Sequence, residues 1–273
     1  MNEPRFSEDR TAQSAHAYAG RRSGSAARFA TAAGERCLIV NADDFGQSAG
    51  INRGIIEAHE QGIVTSASLM VRWPYAQEAA AYARSHASLS LGLHFDFGEW
   101  RYRDGNWVKL YEVVPEEDAK AVQDEAWRQI AEFRRLTGTQ PTHLDSHQHI
   151  HRRKALEPVF LDAARELNVP LRSYDSRIHY YGGFYGQDDT GRSLPEFIRA
   201  DTLIKIFERL PEGVTELGCH PGYAGELDSM YCAERAVEIA TLCDPGVRFA
   251  LAANGIELHS FRDLATHGNG CAP

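Results

Sequence analysis

Cys37-Leu-Ile-Val-Asn-Ala-Asp-Asp-Phe-Gly46 decides how this chain is read. Cys37 to Val40 is a short, β-branched apolar run and reads as a buried strand, while Gly50 to Gln61 carries Ile51, Ile55, Ile56 and Ala58 at helical spacing. Gly62 supplies the helix stop. A strand that passes straight into a helix, with two carboxylates at the junction, is the first unit of a parallel α/β fold, in which catalytic groups collect at the C-terminal ends of strands.

Working outward, the alternation continues. Thr65 to Val71 reads as a strand, Tyr75 to Ser85 as an Ala-rich helix, and Leu89 to Phe95 as a strand. A helix from about Glu116 to Leu136 precedes a strand that starts at His143. Lys154 to Leu167 is helical by pattern, Val169 to Arg172 a short strand, and Thr202 to Arg209 a helix. Val214 to Gly218, Ala233 to Cys243 and Val247 to Leu251 read as strand, helix and strand. Strand and helix alternate about seven times without a break in composition, which predicts a single α/β domain over residues 37–265, an irregular (β/α) TIM-like barrel; a doubly wound open sheet is the main alternative.

Composition bounds the function. The chain has 273 residues, enough to bury a sizeable core, and a net charge of −9 with no basic stripe, which argues against nucleic acid as a partner. No apolar run is long enough to span a bilayer. The five cysteines, Cys37, Cys219, Cys232, Cys243 and Cys271, lack finger spacing and read as reduced thiols of a cytoplasmic protein. Residues 1–36 are rich in Ala, Ser, Arg and Gly without apolar period and are expected to be a disordered tail; Arg21-Arg22 lacks the apolar stretch of a twin-arginine signal. Residues 266–273 are expected to be a flexible C-terminal tail, and a homodimer is the default assembly.

Four of the twelve histidines fall in Thr142-His-Leu-Asp-Ser-His-Gln-His-Ile-His151. Interleaved with Leu144 and Ile150 and placed mid-chain, they are not a tag, and imidazole with carboxylate is the donor set for zinc and related divalent ions. Asp43 and Asp44 are too close to ionise together without a cation, so a metal held by one leaves the other free as a base; the plainer alternative is a helix cap by Asp44 or Ser48. His94, in Gly-Leu-His-Phe-Asp96, ends another strand. With Asp44 and one histidine of the next strand it makes an Asp-His-His set with open positions, the arrangement of a catalytic site. Alternation puts His143, Asp145 and His147 on one side, with His147 nearest the C-terminal edge, Asp145 as an orienting partner, and His149 and His151 turned to the cleft. His220, in Cys-His-Pro-Gly222, is a candidate general acid. Two aromatic-rich connections, Asp96 to Trp107 with Trp100 and Tyr174 to Leu194, suit either the apolar face of a sugar or a dimer contact, and Asp96, Trp100 and Tyr174 join the substrate-side candidates.

Taken together, Asn-Ala-Asp43-Asp44-Phe-Gly, Gly-Ile-Val-Thr65-Ser66, Gly-Leu-His94-Phe, Thr-His-Leu-Asp145-Ser-His147-Gln-His149 and Cys-His220-Pro-Gly resemble the YdjC-type carbohydrate deacetylases, a group that includes chitooligosaccharide deacetylases and hopanoid-biosynthesis relatives. The resemblance runs from about Leu38 to Leu264. It implies an irregular (β/α) barrel and metal-dependent removal of acetyl from an N-acetylated sugar; the ligand types themselves put zinc first, with magnesium possible. Asp44, His94 and His147 are then the ligands, Asp43 the base and His220 the acid toward the departing amine. The segment Asp96-Phe-Gly-Glu99 departs from the more apolar stretch of oligosaccharide-acting members. Two other functions use similar residues: a non-haem iron oxygenase with its two-histidine, one-carboxylate triad, and a sugar-binding relative without turnover.

Overall fold

The computed structural model describes residues 34–266 apart from residues 224 and 226–228. The two terminal tails and Cys271 therefore lie almost wholly outside the described residues, although the expected N-terminal tail overlaps the first strand by one residue, Arg36.

β1 (Arg36–Phe45) is buried nearly throughout, as the central strand of a sheet covered on both faces must be. α1 (Ala49–Glu60) starts where the Ser48 hydroxyl accepts from the Ile51 amide, and buries the Ile51, Ile55 and Ala58 stripe against the sheet. β2 (Ser66–Leu69), α2 (Ala76–Ser85) and β3 (Ser90–Phe95) complete two further units. After a hairpin of β4 (Gly98–Arg103) and β5 (Asn106–Glu112) come α3 (Ala119–Thr137), β6 (Leu144–Ser146) and α4 (Glu157–Leu167). β7 (Ile178–Tyr181), α5 (Ala200–Phe207), β8 (Gly213–Cys219), α6 (Ala233–Leu242), α7 (Pro245–Ala253), β9 (Ile256–His259) and α8 (Phe261–Thr266) follow.

The main sheet has seven strands in the order β6-β3-β2-β1-β8-β7, with β9 added to the N-terminal half of β1, and every pairing in it is parallel. It is a curled half-barrel in one α/β domain: β6 and β7 end the order rather than pairing with each other. The core is continuous from β1 through the helices that cover it, with Phe45, Phe95, Phe133, Phe160 and Phe207 fully buried.

Four expectations are corrected. The Asp96 to Trp107 connection is largely the β4–β5 hairpin, turned by Asp104 and Gly105, both at positive φ. Val247 to Leu251 lies inside α7, which Asp244 caps and Pro245 opens, and the strand comes later as β9. Val169 to Arg172 contributes a lone parallel bridge, Leu144 to Leu171, while the Tyr174 to Leu194 connection contains β7. Most consequential, the histidine-rich strand stops at Ser146. His147–Arg152 is a 3-10 turn in which Gln148 (φ 49°) and His149 (φ 52°) are left-handed, so strand alternation does not govern His147, His149 or His151.

Candidate metal centre and active site

The C-terminal ends of β1, β3, β6 and β8 meet at one place. Neighbouring residues of a strand normally face opposite ways, but Asp44 is left-handed at φ 67°, and the β1–β2 register shifts between Ala42 and Phe45. The irregularity brings both adjacent carboxylates to the same buried pocket.

Asp44 Oδ1 lies 3.4 Å from His94 Nε2 and 3.2 Å from His147 Nδ1. These three residues form one group able to hold a metal ion; Asp43, His94 and Asp145 form a second that shares His94. Asp145 accepts from His94 Nδ1 at 2.8 Å and so fixes the ring with Nε2 toward Asp44. Its other oxygen accepts from Ser68 Oγ at 2.7 Å and from Asn41 Nδ2 at 3.3 Å.

Two buried arginines, which sequence reading did not single out, organise the acids. Arg172 forks Asp43 with two bonds of 2.7 Å and also meets Asp145 and Glu216, each at 2.7 Å. Arg235 Nη2 donates to Asp44 Oδ2 at 2.6 Å. Burial raises the Asp44 carboxyl, but Arg235 and the imidazoles of His147 and His94 outweigh it and hold it well below the usual carboxylate range. Burial and the neighbouring acids push Glu216 up to about 7 against the pull of Arg172.

The pocket is therefore rich in carboxylate, and its positive complement is incomplete. Burial alone would lower both imidazoles, yet Asp145 and Asp43 raise His94 to about 9, and Asp44 and Glu99 hold His147 well above its ordinary value. Sites that call for a proton on imidazole in this way suit a cation that replaces it. Asp44 Oδ1 fits this reading: it is buried and has no hydrogen-bond partner. The residues present thus fit a divalent ion bound by Asp44, His94 and His147.

His220 stands across the pocket, with Nε2 3.8 Å from Asp43 Oδ2. Its amide donates to Glu238, its ring leans on Tyr185 and Tyr231, and burial pushes it down to about 4. His151 is turned away from the centre, bonded through Nδ1 to Ser146 Oγ at 2.6 Å, and Tyr174 donates to its carbonyl at 3.4 Å. His149 sits edge-on to Tyr180 with its Nδ1 buried and unpartnered. Asp96 accepts from Arg72, Trp73 and Tyr111 and so anchors the hairpin, while Trp100 is gripped through its backbone by Gln148. No local pattern marks either arginine, since each is far in sequence from its acid and neither lies in a motif; only the surplus of carboxylates at the strand ends signals a need for them.

The protein is thus an open, curled parallel α/β sheet that gathers at its C-terminal edge an Asp-His-His group able to hold a metal ion, with Asp43 and His220 beside it. The family profile of the YdjC-like proteins matches residues 37–253, and the chain belongs to that family. It is 33% identical over 250 residues to a carbohydrate deacetylase of Geobacillus stearothermophilus, covering 84% of this chain and 98% of that one. To a chitooligosaccharide deacetylase of Serratia marcescens it is 34% identical over 262 residues, covering 84% and 100%. Among solved structures, a protein of Enterococcus faecalis provisionally named for cellobiose-phosphate cleavage superposes with a TM-score of 0.66 at 28% identity, over 84% of this chain and 99% of that one. No helix among the described residues is long and apolar enough to cross a membrane.

Proposed function

We propose that this protein is a divalent-metal-dependent carbohydrate N-deacetylase that hydrolyses the acetamide of an N-acetylated amino sugar. The observation that carries the reading is the convergence of Asp44 Oδ1, His94 Nε2 and His147 Nδ1, flanked by Asp43 and His220. The names of the two deacetylase relatives support the substrate class. A bound divalent ion, zinc first and magnesium second, would supply Lewis acidity and a water activated near neutral pH.

The protein's own residues do the rest. Arg172 fixes the plane of the Asp43 carboxylate, so that one oxygen is presented as acceptor for the proton of the attacking water. His220, on the other side of the pocket, is placed to give a proton to the departing sugar amine, and its unpartnered buried Nδ1 leaves that ring free of a competing bond there. Burial pushes that imidazole down to about 4, so once it carries a proton it gives it up readily to the amine. The parallel sheet counts against the oxygenase alternative, whose triad sits on antiparallel β scaffolds, and mere sugar binding requires neither base nor acid.

The test is acetate release from a panel of N-acetylated mono- and disaccharides and aminoglycoside-type sugars by metal-depleted protein, then after return of zinc, magnesium or iron. Metal-restored release on any member supports the reading. Tight metal binding with silence across the panel moves the activity to another amide.

A further inference from the structure

The two histidines of the cluster face Asp44 through different nitrogens, and this has a consequence for the hairpin. His94 uses Nε2 and gives Nδ1 to Asp145. His147 uses Nδ1, at 3.2 Å, so when Nδ1 offers its lone pair to a cation the ring proton must sit on Nε2. That nitrogen is buried without a hydrogen-bond partner. A buried N–H left unpaired is penalised, and imidazoles that bind metals usually give their second N–H to a carboxylate or carbonyl. The carboxylate facing it is Glu99, itself 6% exposed, with Oε2 at 3.8 Å.

Glu99 is held there by its own strand. The β4–β5 register shifts between Glu99 and Trp100, the kind of irregularity that re-aims a side chain beside a site. Immediately after it, the Trp100 amide donates to Gln148 Oε1 at 2.9 Å and the Trp100 carbonyl accepts from Gln148 Nε2 at 2.7 Å. Gln148 is the residue after His147, so the hairpin and the histidine turn are locked together one residue from the pair in question. Opposite Glu99, Tyr111 donates to Asp96 at 2.8 Å.

Resting on the metal reading above, we infer that Glu99 is the positioning residue for His147, accepting its Nε2–H directly or through one water, as Asp145 does for His94. The two imidazoles are thus oriented from independent elements, one from β6 and the other from the hairpin inserted after β3. The strand Gly98–Arg103 then carries, in Glu99, a residue that serves the metal centre.

The test is metal affinity of the full chain, measured by competition with a chromophoric chelator for zinc and by the visible spectrum of the cobalt-loaded protein. Circular dichroism serves as the check on folding. Glu99→Ala should weaken zinc binding by about 10- to 100-fold and alter the cobalt spectrum, and Glu99→Gln, which keeps an acceptor oxygen, should recover part of the loss. Equal affinities in wild type and both variants would overturn the assignment, as would unchanged affinity with a raised KM, which would make Glu99 a substrate contact. A wild-type chain that takes up no divalent ion would overturn the metal reading itself, and this inference with it.

Discussion

Arg172→Ala is the most informative single substitution. The guanidinium is buried and bonds three carboxylates, Asp43, Asp145 and Glu216, at 2.7 Å each. Removing one partner of a buried ion pair costs about 3–5 kcal/mol, because the other partner is left buried without compensation. Here three partners are stranded, so the upper end of that range is expected. Glu216 is already pushed up to about 7 and can escape the penalty by taking a proton, so the loss should be smaller near pH 5 than near pH 8. For a chain of this size, about 3–5 kcal/mol corresponds to a fall in Tm of roughly 6–20 °C. Thermal unfolding should be followed in chelator at both pH values, so that ion binding does not shift the baseline. Arg172→Lys restores the charge but not the fork, so it should recover much of the Tm while acetate release stays low. A Tm for Arg172→Ala within about 3 °C of wild type at both pH values, less than the 6–20 °C expected, would refute the view that Arg172 neutralises the pocket.

Other substitutions separate roles that lie side by side. Asp43→Asn should abolish acetate release while leaving zinc content intact, whereas Asp44→Asn should lose the metal as well; the reverse pattern, read by elemental analysis, would exchange their roles. Gly92→Ala would place a methyl 2.4 Å from the His143 ring, which is stacked at 3.7 Å on Phe261 and has no room to retreat, so a loss of about 1–3 kcal/mol in urea unfolding is expected. Acid should act through His143 and His151, each pushed down to about 3 by burial from an ordinary value of about 6.5. Both are neutral when folded and bind protons on unfolding, so the stability they contribute is whole above about pH 6.5 and is lost as pH falls toward 3. Urea midpoints should decline across that window and the slope should flatten in His143→Gln; a flat wild-type profile would contradict the assignment. His94, raised to about 9, acts in the opposite sense: the stability it contributes is whole below about pH 6.5 and is lost as pH rises toward 9, so the two windows do not overlap.

The sequence by itself determined the class of fold and the chemical vocabulary of the site. Apolar runs bounded by Gly and followed by 3.6-residue periodicity are local signals, so β1, α1, β3 and β8 were legible, and with them the placing of Asp43, Asp44, His94 and His220 at or beside strand ends. Where a short apolar run has no such context, local pattern fails: Val247 to Leu251 suits strand or helix, and Asp244-Pro245 decided for helix. Tertiary structure alone decided how the side chains meet. The left-handed backbone at Asp44, Gln148 and His149 cannot be read from residue type, because even Asp and His, which favour it more than most non-glycine residues, adopt it in only a minority of cases, yet it turns both aspartates into one pocket and takes His147 out of the strand. The pairing of Arg172 with Asp43 and of Arg235 with Asp44, across 129 and 191 residues, depends on charges that only the closed fold buries together. Sequence patterns record what each segment prefers alone; the electrostatic balance of a buried site exists only once distant segments exclude water from it.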